Sequence, residues 1–400
     1  GASVLNNAGV LVVGEPTYTD RIVLRVDTTL NNTGVIQIGH TGNTGQVWLD
    51  VGNTVINGPG VINLNGPANL LTGGGTVSIF GQTIQGVGTV GYYPDMGWGA
   101  FSSINLDPAS VITSNTNGGT LNIIRDGTLS GGALRAENGG SLYLFGTNIN
   151  GSRVEALDGS RITLDADHGS NVMTGGVITT SGSGAVYPNG GYTLKDLTTS
   201  GNVIAADGQR LPLSGVINNT GTLVVGQTTG AVLNGLPAAL TGGGTVLVNE
   251  GSSLWGTLTN QDNSMVFTGN AGVNGELINY GGMTVTAGHS LDFTSASRFE
   301  NQGYLRVESG AQLVGYWQNA APNYSNGVLS GGTFDLAGLA QLVPQGAYVT
   351  TNAANVILDG PNSLISGMND FENFANYDAL GQLKTNTGSF TIKNGRDFTT

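Results

Sequence analysis

The best acidic cluster in the chain is Arg161-Ile-Thr-Leu-Asp-Ala-Asp-His168. If this run is a strand, alternation puts Arg161, Thr163, Asp165 and Asp167 on one face and Ile162, Leu164 and Ala166 on the other, the core face. Two carboxylates two residues apart then stand about 6.6 Å from each other, at about 3.3 Å of rise per residue. Asp165 and Asp167 at that spacing could hold Ca²⁺ or serve a polysaccharide lyase; the competing reading is a solvated strand face. Hydrolysis of a glycosidic bond requires two carboxylates at a defined separation, and a lyase requires acids converging with Arg or Lys on one face. With 26 Asp and Glu scattered over 400 residues, some pair always fits, so a pair alone assigns nothing. His40, His168 and His289 are far apart in sequence and show no metal-site spacing. Gly288-His289-Ser290 and Asp107-Pro108 stand without partner motifs. Gly73-Gly74-Gly75 lacks the Lys-Ser/Thr of a phosphate loop. The chain has no Cys, which excludes thiolate nucleophiles, disulfides and Cys-ligated zinc. These residues assign no catalytic residue, metal or cofactor.

Composition points the same way. Only 10% of residues are charged, where about 25% is usual, and the formal net charge is −13. With three Lys (Lys195, Lys384, Lys393) there is no basic patch to neutralise phosphates, so nucleic acid is not expected as a partner. Anionic membrane surfaces are disfavoured for the same reason. No run approaches the eighteen or so apolar residues of a membrane helix, so this segment is not expected to insert in a membrane. Gly1–Ser3 opens without the basic and apolar regions of a signal peptide. The 68 Gly against 11 Pro fit neither collagen nor Pro-rich disorder, and 38% apolar residues suffice for a core.

The elements that would position these residues are legible from period two. The pattern apolar-x-Asn-x-Gly-x-apolar-x-apolar occurs five times, centred on Asn7, Asn32, Asn219, Asn279 and Asn301, as in Leu277-x-Asn279-x-Gly281-x-Met283-x-Val285. Strict alternation means strand, and the Gly marks a bend between two short strands. Asn7 and Asn32 are 25 residues apart, Asn279 and Asn301 are 22 apart, and a weaker copy, Leu258-x-Asn260, lies 19 upstream of Asn279. Leu71-Thr-Gly-Gly-Gly-Thr-Val-Ser-Ile79 returns as Leu240-Thr-Gly-Gly-Gly-Thr-Val-Leu-Val248. Helical spacing and capping signals are scarce. These intervals predict an all-β fold, a right-handed parallel β-helix of roughly 16–20 coils of about 19–25 residues, stacked at about 4.8 Å. One continuous solenoid over 1–400 is expected, a rod on the order of 80–95 Å long. Segments 1–205 and 206–400 read as an internal duplication, the first carrying an added coil near Thr54–Gly66.

Stacking explains the missing charges, because equivalent positions lie above one another and like charges would repel. Each motif Asn shares parity with the apolar positions, so Asn7, Asn32, Asn219, Asn279 and Asn301 are expected to face inward at corners, with amides bonding along the solenoid axis.

The Leu-x-Asn-x-Gly-x-Leu-x-Val coils, Leu-Thr-Gly-Gly-Gly-Thr-Val, Gln82-Thr-Ile-Gln-Gly-Val-Gly-Thr-Val90 and the C-terminal block Gly388-Ser-Phe-Thr-Ile-Lys-Asn-Gly-Arg-Asp-Phe398 resemble exported bacterial β-solenoid surface proteins. These include filamentous-haemagglutinin-like and autotransporter-passenger-like repeat proteins, as in cyanobacteria and planctomycetes. The resemblance covers most of the chain and implies an extracellular or bacterial cell-surface location. It also implies a structural or adhesive role as part of a stalk, layer or self-assembling filament. The expected partners are copies of itself or adjacent repeats of a longer chain, and surface glycans. The insertion Tyr92-Tyr93-Pro-Asp-Met-Gly-Trp98-Gly-Ala-Phe101 concentrates aromatics. Tyr92, Tyr93, Trp98 and Phe101 could stack on sugar rings, dock a subunit, or fold over a strand edge. The competing classes are a polysaccharide lyase or hydrolase on the same solenoid and a carbohydrate-binding module.

Overall fold

A computed structural model describes residues 2–14, 22–40, 47–51, 53–91, 101–124, 127–166, 171–315, 322–344, 346–367 and 377–399. Among these there is no helix, and apart from the antiparallel pair Tyr324–Ser325 with Val328–Leu329 the strands stack in parallel as a β-solenoid of about 15 turns. That is fewer than the 16–20 coils the sequence intervals suggest, because several turns are long. Tyr304 stacks on Thr333, an offset of 29 (333 − 304), and Asn355 on Ser389, an offset of 34 (389 − 355). The chain forms two compact units, Gly1–Val203 and Ile204–Thr400.

In the first unit one interior line runs Leu11, Ile36, Ile62, Ile84, Ile112, Leu134, Val154, Ile178, each in register with the next. From Ile36 onward every member is fully buried. A second line joins Leu121, Leu142, Ile162, Val186 and Val203. Val55–Asn57 forms a rung between Thr29–Asn31 and Ser78–Phe80, so the segment Thr54–Gly66 contributes to a turn of its own.

In the second unit the corresponding line is Leu223, Val246, Met265, Met283, Leu305, Phe334, Val356, Phe390. Branched and aromatic side chains suit these positions because each lies on its equivalent one turn away, on a pleated surface buried on its inner side. Burial of one such side chain contributes about 1.5–3 kcal/mol, so each line adds to the cohesion between turns. Short strands such as Thr222–Val225, Thr245–Val248 and Gly282–Val285 alternate half-buried and buried along their length.

The motif glycines sit at the bend between two strands, as between Ala271–Asn279 and Gly282–Val285. Several are required by close stacking: a Cβ on Gly34 would lie 2.0 Å from the Gly9 carbonyl oxygen, and one on Gly303 would lie 2.2 Å from that of Gly281. The turn below occupies the space a side chain would need.

Candidate functional site

The amides of the motif Asn residues line up inside the corners. Asn7 Nδ2 donates to Asn32 Oδ1 at 2.8 Å, and Asn32 Nδ2 donates to Gln82 Oε1 at 2.9 Å. Strand register puts Gly58 beside Asn32, with no side chain to continue the line. Gln82 supplies the missing rung from further along, its Nε2 donating to the carbonyls of Asn32 (2.8 Å) and Gly58. Asn32 is fully buried, whereas Asn7 is half-buried. A second, outward-facing line joins Asn6, Asn31 and Asn57 by amide bonds of 2.7 and 3.2 Å.

In the second unit Asn260 donates to Asn279 and Asn279 to Asn301, each at 2.8 Å, and all three are fully buried. Asn219 is fully buried too, but Ile217 stacks on Leu240 and Leu240 on Asn260, so Asn219 lies two residues beyond that line. It donates to Asn263 Oδ1 at 2.8 Å instead, and Asn263 is tied to Asn260 by bonds of 2.9 and 3.0 Å. Asn323 extends the line, accepting from the Asn301 amide N–H and returning a bond to its carbonyl, each at 2.8 Å. Near the C-terminus Asn352 donates to Asn386 Oδ1 at 2.8 Å. The amides also tie down corner carbonyls, as Asn279 Nδ2 does with those of Gly281 and Tyr304.

Asn263, Asn323, Asn352, Asn386 and Gln82 escape the five-copy motif. Asn386-Thr-Gly388 keeps the Asn-x-Gly core behind a polar Lys384, and Asn352-Ala-Ala354 replaces the Gly with Ala. Gln82 carries no pattern signal, since it reaches the line by length and not by register.

The acidic run behaves differently. Ile162 and Leu164 are fully buried and Ala166 is 7% exposed, while Arg161 points to solvent. Asp165 accepts a hydrogen bond from the Tyr143 hydroxyl at 2.6 Å. Burial first, then the hydrogen bond and charge of Asp165, push that hydroxyl well above the ordinary tyrosine range. Arg161 does not pair with Asp165; its guanidinium lies 3.7 Å over the Tyr187 ring and its Nε donates to Thr163. Asp167 and His168 lie outside the described residues, as do Tyr92, Tyr93 and Trp98 of the aromatic insertion. Phe101 is described and is 1% exposed, packed as a core residue instead of presented for contact. Among the described residues no group of three or more His, Asp or Glu could hold a metal ion.

Elsewhere carboxylates cap the backbone of an adjacent turn. Asp207 accepts from the amides of Gln227 (2.6 Å) and Thr228 (3.0 Å) and from the Thr228 hydroxyl (2.6 Å). Those bonds, the Thr228 hydroxyl foremost, hold its carboxyl far below the usual range. The Ser183 amide and hydroxyl lower Asp158, the Asn270 amide and side chain lower Glu250, and the Gly81 amide with Ser110 lowers Asp107. Stacked charges alternate in sign: Arg135 lies on Glu155, Arg306 on Asp335 and Asp359 on Lys393, with N–O distances of 2.7, 2.7 and 3.2 Å.

These depressed carboxyls set a pH dependence. Each contributes stability that is fully present above its ordinary value, about 4, and is lost as pH falls through its lower folded value. The thermal midpoint should therefore hold from neutral pH to about 5 and decline below about 4. Asp207→Asn should start lower at neutral pH and decline less steeply, which thermal scans by circular dichroism will show. Equal slopes for the two proteins would contradict the capping role.

No family model matches the chain, and no curated protein matches it. The strand stacking establishes the parallel β-solenoid and no family beyond it.

Proposed function

We propose that this chain is an extracellular structural or adhesive β-solenoid, a section or subunit of a bacterial cell-surface stalk, layer or self-assembling filament. The supporting observation is where the polar side chains go. Buried amides bond from turn to turn, carboxylates cap neighbouring turns, and charges pair in alternating register. Asp165, one of the two acids singled out by the sequence, is bonded to Tyr143, and Asp167 lies outside the described residues. We therefore read the chain as non-enzymatic.

Partners would join through the same pairing. Among the described residues Ser389–Lys393 pairs on one side only, with Asn355–Asp359, and Ala2–Asn7 pairs only with Ile22–Asn32. Further turns of a longer chain, or a second copy, would add in parallel register at such an edge.

The test is immunolabelling of intact source cells with antibody to this chain. Surface label before permeabilisation is expected, and label only after permeabilisation would overturn the proposal. Incubation with acidic polysaccharide separates the enzyme alternative: constant viscosity is expected, and a steady fall would favour a lyase or hydrolase.

A further inference from the structure

A cleft of about 360 Å³ opens in the first unit, lined by Asn63, Leu64, Asn65, Gln85, Gly86, Val87, Asn115 and Thr116. It spans three turns, since Asn63 is in register with Gln85 and Asn115 follows the strand stacked on Gln85. The volume is within the range of small-ligand sites, about 300–1,000 Å³. The sheet bends here because Gly86 takes φ +108°, and its Cβ would lie 2.2 Å from the Leu64 carbonyl oxygen, so no side chain fills the bend.

The polar lining is fixed in direction. Gln85 Nε2 donates to Asn63 Oδ1 at 2.7 Å, and Gln85 Oε1 accepts from Asn115 Nδ2 at 3.1 Å. Asn65 Nδ2 donates to the Gly39 carbonyl at 3.0 Å. Four amides are thus held by bonds between turns, while among the described residues the N–H groups of Asn63 and the Oδ1 atoms of Asn115 and Asn65 are left over. These donors and acceptors, with exposed Thr116 at the rim and half-buried Val87 as the apolar side chain beside them, suit a ligand carrying both hydroxyls and C–H faces, while Leu64 backs the cleft from the core. No titratable group lines the cleft, so nothing there selects a phosphate, a carboxylate or a cation.

We propose that this cleft binds an uncharged polyhydroxylated ligand, a neutral oligosaccharide. The inference adds a binding site to the structural reading and does not depend on it: a chain that fails the test below would still be surface-labelled on intact cells.

The measurement is methyl NMR of the full chain with labelled Leu and Val, titrated separately with cellotetraose, maltotetraose and mannotetraose, and with an oligogalacturonate. Shifts of the Val87 methyls with at least one neutral tetrasaccharide, and none with the oligogalacturonate, are expected. Asn63→Leu and Asn115→Leu should each weaken that binding at least tenfold, while Asn31→Ala, on the outward amide line away from the cleft, should leave it unchanged. If either cleft variant fails to fold, Thr116→Val at the rim and the wild-type titration still decide. No shift of these methyls by any neutral sugar at millimolar concentration would overturn the proposal. Equal response to the charged oligomer, or binding unchanged in the cleft variants, would do so as well.

Discussion

Replacing Asn279 by Leu should destabilise the second unit by about 2–5 kcal/mol, although Leu is of similar size and the site is fully buried. Asn279 accepts from Asn260 at 2.8 Å and donates to Asn301 Oδ1 at 2.8 Å, and also to the carbonyls of Gly281 and Tyr304. The substitution leaves the Asn301 oxygen without its donor inside the corner, and each buried polar group so orphaned costs about 1–3 kcal/mol. Asn279→Asp should fail too, because a carboxylate can accept from Asn260 but cannot donate to Asn301. By contrast, Asn31→Ala breaks an exposed line whose members water can solvate, and should cost less than about 1 kcal/mol. Urea midpoints for the three variants against the parent measure the ordering; equal effects at Asn279 and Asn31 would contradict it.

Gly303→Ala is the second large effect, about 2–4 kcal/mol. Its backbone is not in the left-handed region, so the cost arises from stacking alone. The new methyl would lie 2.2 Å from the Gly281 oxygen and 2.4 Å from the Tyr280 carbonyl, both backbone groups held in the turn below. Gly9 holds the same place in its copy of the motif with nothing within 4 Å of its Cβ. Gly9→Ala should therefore fall within about 0.5 kcal/mol of the parent. Thermal melts of the two variants separate close stacking from bend geometry: a comparable loss at Gly9 would show that the bend itself requires glycine.

Much of this architecture was legible because a stacked solenoid writes its period into the chain. Leu277-x-Asn279-x-Gly281 and Phe299-x-Asn301-x-Gly303 repeat at the interval of one turn, and alternation assigns their inner faces. The composition was informative for the same reason, since stacked equivalents disfavour like charges, and where charges do stack they pair in opposite sign, as with Arg306 on Asp335. Features that depend on reach across turns were not legible. Gln82 bridges a rung left empty by Gly58, and Asn219 bonds to Asn263 because Ile217, two residues earlier, holds the register position of Asn260. The cleft at Gln85 was hidden because its lining comes from three turns with no shared motif. The pairing of Asp165 with Tyr143 also crosses turns, so the sequence run did not show the partner of Asp165.

The central claim is that buried amides couple successive turns into one cooperative stack. Hydrogen exchange of the parent and Asn279→Leu, followed by mass spectrometry over the strands from Ser252–Asn260 to Tyr304–Val307, tests it most directly. The account predicts strong protection across these strands in the parent and a joint loss across all of them in the variant. Faster exchange confined to the few residues around position 279, with Asn260 and Asn301 still protected, would contradict it.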